Sequence, residues 1–596
     1  MVTPTVAAVR VDVNTGPAAS YAGLRECLGA LRAAGADFGD LPARHASEWA
    51  ELFPADCARN NPPLLEEIAL APSERRLHRE SEQVYRVLSV AAAALCAGTA
   101  ELGRPLLVNG VGGTDLSSLR GLMRAVEHSR VVPGAALLLH APESVRAPLG
   151  RHADYRAERI RCLRRMNVPI TTDDLVADLP TDTEARFEPV TEEGQLYRRA
   201  RDGDSSAVDR VAASLAYCRR AFFSANWEGM AVVADAAIDL LSGIPEPAIP
   251  ELLAKAEREE ELVHAIEFET AILRSTADIR GFLLKVLGIQ AGFRGDQEAA
   301  ITAFRAIRER GDGLSPEIRA QSHLYAALTL SKRKHHLAEA IAEVEQGFEV
   351  VRERPDEADS VRRERGWLHN LRGLTLFAER RLGAAFEHEK QALACLADLT
   401  DASSAHLRIN LYSNISVLQE KAGKHWSALR TWEKFQQATG SSNAGFAKHH
   451  AYRSAGLRLL VGDRDAALED LDTTLTNAAE LNDVFHQAEV RLELGKLHAT
   501  AGDREAAAEE YVRAENTARL LGDPYRIALA QAGQVMTGGA STVARSAVAN
   551  ASLSLTRPTD AETLATAVAG GKDLAGLLPA PRTKLNRPFD LINFQD

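Results

Sequence analysis

The stretch LGKLHATAGDREAAAEEYVRA, residues 494–514, decides the fold. Two amphipathic segments flank a Gly502-Asp503 turn. Small residues, Gly495 in the first segment and Ala507 and Ala514 in the second, sit where two antiparallel helices would cross closely. Large residues, Leu494 and Tyr511, stand beside them to fill the crossing. Neither helix can bury its apolar face alone, so the hairpin calls for neighbours.

Working outward, the same pattern returns. It appears as GDQEAAITAF at Gly295, RLGAAFEHEKQAL at Arg381, GKHWSALRTW at Gly423 and GDRDAALEDL at Gly462. A looser copy, HHLAEAIAEVEQGF, carries Ala340, and a first copy is read at FFSANWEGMAVVADAAIDLL around Trp227 and Met230. The anchor alanines are Ala300, Ala340, Ala385, Ala428, Ala467 and Ala507, at intervals of 40, 45, 43, 39 and 40 residues. A fixed period of this size means stacked helical hairpins. The Leu-Gly pair, the Gly-Asp turn, the alanine and the Tyr/Phe-x-x-Ala step resemble the tetratricopeptide repeat family over residues 207–535. The period exceeds that family's usual ~34 residues, so longer helices are expected, as in the repeat regions of LuxR-type regulators.

Residues 1–185 lack the period. RPLLVNG and GAALLLH read as short buried parallel strands, with the helix TDLSSLRGLMRAVEHS between them and the helix LHRESEQVYRVLSVAAAALCAGTAEL before them. The order resembles the ATPase domain of LuxR-type signal-transduction ATPases. Leu106-Leu107-Val108 matches that family's apolar strand, and Gly113-Thr114-Asp115 its Trp-Ala-Asp step. Ser118-Leu119 opens the next helix, and YAGLRECLGALRAA from Tyr21 matches the helix after the phosphate-binding segment. RIRCLRRMNVPITTDDLVADL, from Arg159, matches a basic-apolar strand leading to an acidic helix start. The family's acidic pair is replaced by Asn109-Gly110, and no G-x-x-x-x-G-K-[ST] precedes Tyr21. Mg–ATP needs both, so the resemblance implies a degenerate P-loop domain without ATP chemistry. The expected fold is therefore mainly α: a tetratricopeptide-like solenoid over 186–535 and a smaller α/β domain over 1–185. Residues 536–596 are expected to be linker, one short helix capped at Thr559-x-x-Glu562, and an apolar tail, RPFDLINF at 587–594.

Chemistry is sparse. Gly110-Val111-Gly112-Gly113 has Asp115 where a dinucleotide fingerprint needs its third glycine, and reads as a turn. The pairs His335-His336 and His449-His450 point ~100° apart on a helix, and Glu261-x-x-His264 is a single step. None of Cys27, Cys57, Cys96, Cys162, Cys218 and Cys395 forms a C-x-x-C pair. Arg156, Arg159, Arg161, Arg164 and Arg165 read as a solvated basic face. No cofactor, metal or catalytic set is expected. A net charge of −12 and a pI of about 5.9 argue against a general nucleic-acid or anionic-membrane binder. No helix-turn-helix follows the array, no signal peptide opens the chain, and the cysteine pattern suits the cytoplasm.

Binding is the function left. With Gly288, Gly373 and Gly495 as register marks, the side chains expected to line a concave groove are Lys285, Tyr325, Lys332, Arg333, Trp367, Asn370, Phe377, Asn410, Ser413, Tyr452 and Lys496. Inward Asn side chains offer a donor and an acceptor to a peptide backbone. The first reading is a non-catalytic adaptor or regulator that holds a protein or peptide, with self-association as a further partner class. The alternatives are a tailoring enzyme with its site in residues 1–185, and a ligand-controlled transcriptional regulator acting through a partner.

Overall fold

The computed structural model describes residues 7–57, 62, 65, 82–141, 149–150, 153–169, 191–256, 272–309, 313–331, 334–353, 357–439, 444–539, 541–553 and 566. Lys332, Arg333, Glu261, His264, the Thr559–Glu562 step and the apolar run 587–594 lie outside them.

The N-terminal part is a small parallel α/β unit. Strand β1 (Val9–Asp12) leads through a loop to helix α1 (Ala22–Ala33), and the short helices α2 (Leu41–Arg44), α3 (Ala46–Leu52) and α4 (Pro54–Cys57) follow. Then come α5 (Glu82–Leu102), β2 (Leu106–Asn109), α6 (Leu116–Ser129) and β3 (Leu137–His140). A two-residue ladder of β4 (Leu149–Gly150) and β5 (Ala153–Asp154) precedes α7 (Arg156–Arg165). The sheet order is β1-β2-β3, all parallel, with Val9, Leu106 and Leu137 in register. Strand β1 has little sequence signal: VRVD carries two charges, and only Val9 is fully inward. Helix α5 is long and apolar enough to cross a bilayer by length and composition, yet most of it is buried inside the protein, as befits a core helix.

Two expectations fail here. The segment from Arg159 is helix α7, not a strand. Arg159 is also not on a solvated face: it is completely buried, and its Nε donates to Glu228 Oε1 at 3.2 Å. A helix places every third or fourth residue inward, and here the inward residue happens to be an arginine with a carboxylate waiting in the next domain.

The remainder is a helical-hairpin solenoid. Helices α8 (Glu192–Arg201), α9 (Ala207–Phe223), α10 (Trp227–Leu240) and α11 (Ile249–Ala256) open it. Successive hairpins follow: α12 and α13 (Thr276–Arg294, Gln297–Glu309), α14 and α15 (Pro316–Ser331, Leu337–Val350), α16 and α17 (Asp359–Ala378, Leu382–Cys395). Then α18 and α19 (Ala402–Lys421, His425–Thr439), α20 and α21 (Ala444–Val461, Arg464–Glu480), and α22 and α23 (Val484–Thr500, Arg504–Leu520). Every anchor alanine is fully buried. A Cβ on Gly288 would lie 2.3 Å from the Phe304 ring, and one on Gly495 would lie 2.8 Å from Tyr511. The helix pairs thus approach until only a hydrogen fits, and the rings of Phe304 and Tyr511, each four residues after its anchor, fill the space.

The period runs one step further than expected. GGASTVARSAVANASL was read as linker, but α24 (Pro524–Met536) and α25 (Ser541–Leu553) form another hairpin. Ala547, forty residues after Ala507, and Ala551 are fully buried. Small residues look like linker in sequence because they lack the large apolar stripe; packed tightly against α24, they need none.

The array returns to its starting point. At one end, Arg159 joins α7 to Glu228 of α10, and Tyr155 donates to Gln290 of α12 at 2.7 Å. At the other, α5 meets α22 and α24: Arg86 pairs with Asp483 at 2.8 Å, and Arg526 donates to the Tyr85 hydroxyl at 2.6 Å. The Tyr85 and Phe485 rings meet edge to face at 5.5 Å. The α/β unit is therefore gripped by both ends of the solenoid.

Candidate functional site

The first helices of successive hairpins are joined by polar bridges. Lys285 Nζ donates to Gln321 Oε1 at 2.8 Å, and Gln321 Nε2 donates to Glu364 Oε1 at 3.0 Å. Asn414 Nδ2 donates to Asn370 Oδ1 at 2.7 Å, and Arg453 pairs with Glu420 at 2.5 Å. Lys448 pairs with Asp483, and Arg526 with Glu489. Each bridge spans one repeat, so the period that stacks the hairpins also brings these groups together.

Of the residues expected to line a groove, Lys285 and Asn370 belong to this ladder. Lys285 is buried, with its ammonium over the Phe282 and Tyr325 rings. Tyr325 stacks on Phe304. Trp367 belongs to an apolar core with Leu396, Leu407 and Leu411. Asn370 is engaged by Asn414, whereas Asn410 and Ser413 are buried on α18, and the Ser413 hydroxyl finds no partner among the described residues. Tyr452 packs beside the core of α20 and α21, and Lys496 is buried near Glu493. Phe377 is half-buried and opens onto a cleft.

Burial tunes two carboxyls along the ladder. Glu389 stands where the other hairpins have Phe304, Val344, Trp432, Leu471 and Tyr511. It abuts Gly373 as Phe304 abuts Gly288. Burial drives its carboxyl well above the usual range, although Asn414 pulls the other way. Glu493 is raised by burial too, and Lys496 opposes it.

The cleft lies at the turn edge of the array and has a volume of about 580 Å³. Ser331, Leu337, Phe377, Ala378 and Leu382 form its largely apolar lining, and Arg380 and Lys421 stand at it as exposed cations. Neither cation has an ion pair or side-chain hydrogen bond among the described residues. Arg380 also has a φ of 61°, in the left-handed region. It sits five residues before its anchor, where four of the other anchored hairpins have Gly295, Gly423, Gly462 and Gly502, all with positive φ, and the Ala340 hairpin has His335. An arginine in this conformation costs about 1–2 kcal/mol relative to glycine. Of the residues lining this cleft, the sequence reading named Phe377 and did not name Arg380, Lys421, Leu337 or Leu382. The available signal was the absence of glycine before Ala385.

A second polar centre lies in the α/β unit. The loop from Val13 to Ser20 connects β1 to α1, the position of a phosphate-binding turn in nucleotide-binding α/β folds. The N-terminus of α1 would attract an anion there. The Asp115 carboxylate occupies that place. Its Oδ1 accepts from Tyr21 N at 3.0 Å and its Oδ2 from Gly23 N at 3.1 Å, while Oδ1 also caps α6 through Ser118 N at 2.9 Å. Asp115 is almost completely buried. The glycines of the Gly110–Gly113 turn let Asn14 lie against the backbone, since a Cβ on Gly113 would fall 1.9 Å from Asn14 Oδ1.

No protein-family profile matches the chain, and no curated protein matches it. Among solved structures, it is similar to a signal-transduction ATPase with a tetratricopeptide repeat sensor from Pyrococcus horikoshii: 10% identity, 86% of this chain and 83% of that one, TM-score 0.42. It is also similar to aspartyl phosphate phosphatase F from Bacillus subtilis: 10% identity, 66% and 96% covered, TM-score 0.35. A Rap conjugation gene regulator of a plasmid, in complex with the Phr* peptide, matches at 14% identity, 60% and 98% covered, TM-score 0.29. These likenesses are loose, and the fold assignment rests on the hairpins themselves.

Proposed function

We propose that this protein is a non-catalytic adaptor that holds a segment of a protein or peptide partner at the cleft around Phe377, with an α/β domain that has lost ATP chemistry. The observation that supports it most is Arg380. This residue keeps a strained backbone conformation, has no ion pair or side-chain hydrogen bond among the described residues, and stands with Lys421 over an apolar cleft. Cations beside an apolar lining suit a segment that pairs carboxylates with a large apolar side chain. Phe377, expected on the inner face, lines the cleft.

Selection of displayed random peptides on the purified chain tests the reading. Enriched sequences should combine an acidic residue with a large apolar one, and Phe377→Ser should weaken their binding at least tenfold. Arg380→Gly separates function from stability. It should raise stability by about 1 kcal/mol, because glycine relieves the left-handed strain, while weakening peptide binding. Peptides that bind equally well to both variants would refute the reading.

A further inference from the structure

Resting on the cleft as a partner site, we infer that its occupant in the free protein is the chain's own segment 588–596, PFDLINFQD. The segment has the complementary chemistry: Phe589, Leu591, Ile592 and Phe594 supply apolar side chains, and Asp590 and Asp596 supply carboxylates, with no basic residue among them. The cleft offers an apolar lining from Leu337, Phe377 and Leu382, and the cations Arg380 and Lys421. A volume of about 580 Å³ takes two or three large side chains, not the whole segment, so part of the run inserts and the aspartates stay at the cationic rim.

The chain is long enough for the contact. Helix α25 ends at Leu553, thirty-six residues before Phe589. At ~3.3–3.6 Å per residue those residues reach up to ~130 Å when extended. The cleft lies four to five hairpins back along the array, or roughly 40–50 Å at ~10 Å per stacked helix layer. The reach exceeds that span, so the segment can meet the cleft as a tethered ligand, which raises its effective concentration there. Such a contact would make the segment a built-in competitor: a partner must displace it, and binding would be weaker in the whole chain than at a bare cleft.

The test uses the full-length chain and a full-length variant in which Phe589, Leu591, Ile592 and Phe594 are all serine. A fluorescent peptide of residues 588–596 should bind the serine variant at least tenfold more tightly than the wild type. It should lose that affinity when Arg380→Glu and Lys421→Glu are added. Hydrogen exchange at 377–382 should be faster in the serine variant than in the wild type, with an unchanged melting midpoint. Equal peptide affinity and equal exchange in the two chains would overturn the inference while leaving the partner site intact. Selected partner peptides that ignore Phe377 and Arg380 would instead overturn the site itself. Slower exchange that grows with protein concentration, together with a doubled mass, would assign the contact to a second copy and overturn the intramolecular form.

Discussion

Acid should release the far end of the array from the α/β unit before it unfolds the rest. Two buried histidines stand at this contact. His45 packs edge-on to Phe485 of α22, and His128 abuts Gly522 just before α24. Burial pushes both imidazoles down to about 4; Arg44 and Arg86 reinforce the effect at His45, and Arg124 does so at His128. Asp483 and Asp40 oppose the shift at His45, as Asp523 does at His128, without reversing it. In an unfolded chain histidine titrates near 6.5. A folded value below the unfolded one means that protons favour the open state. The contribution is complete above pH ~6.5 and falls as pH drops toward 4. At pH 5 the linkage amounts to about 2 kcal/mol per histidine, or about 4 kcal/mol for the pair. This is a large part of a typical domain stability of ~5–15 kcal/mol. Asp483 does not share this loss: burial alone would raise its carboxyl, but Arg86, His486 and Lys448 hold it well below the usual range. Its ion pairs therefore persist at pH 5. Hydrogen exchange at pH 7.5 and 5.0, corrected for the intrinsic rate, reads the local opening. Protection over 484–500 and 524–536 should fall at pH 5 by more than that over 276–309, and His45→Leu with His128→Leu should abolish the difference. A uniform loss, or one that survives in the double variant, would refute the reasoning.

Three further outcomes are expected. Ala507→Trp should lower the melting midpoint through an overpacking cost of at least ~1–3 kcal/mol, because Ala507 is fully buried in the α22–α23 crossing. Arg159→Met should cost about 3–5 kcal/mol in urea unfolding by leaving the buried Glu228 carboxylate without its partner, and adding Glu228→Gln should recover much of it. Equilibrium dialysis should detect no Mg²⁺-dependent ATP binding at micromolar ligand, since Asp115 fills the anion position at the start of α1 and like charge repels phosphate.

The period was legible because its causes are local. An alanine at each crossing, a glycine at most turns and, at all but Glu389, an apolar residue four positions after the anchor recur at fixed spacing, and a helix converts spacing directly into a face. Strands β2 and β3 were legible for the same reason, as apolar runs between turn residues. The sequence by itself thus determined a stack of helical hairpins joined to a small parallel α/β unit. What the charged residues do was decided only in three dimensions. Arg159 reads as one member of a basic face until Glu228 meets it from α10. Arg86 reads as the surface of an apolar helix until Asp483, 397 positions later, closes the array upon it. Asp115 reads as the relic of a motif until two backbone amides of α1 bind its carboxylate. Burial of a charge is a property of a pair, and its cost is met only when the partner arrives. No local pattern encodes a partner hundreds of residues away, so tertiary structure alone decided which charges hold the protein closed.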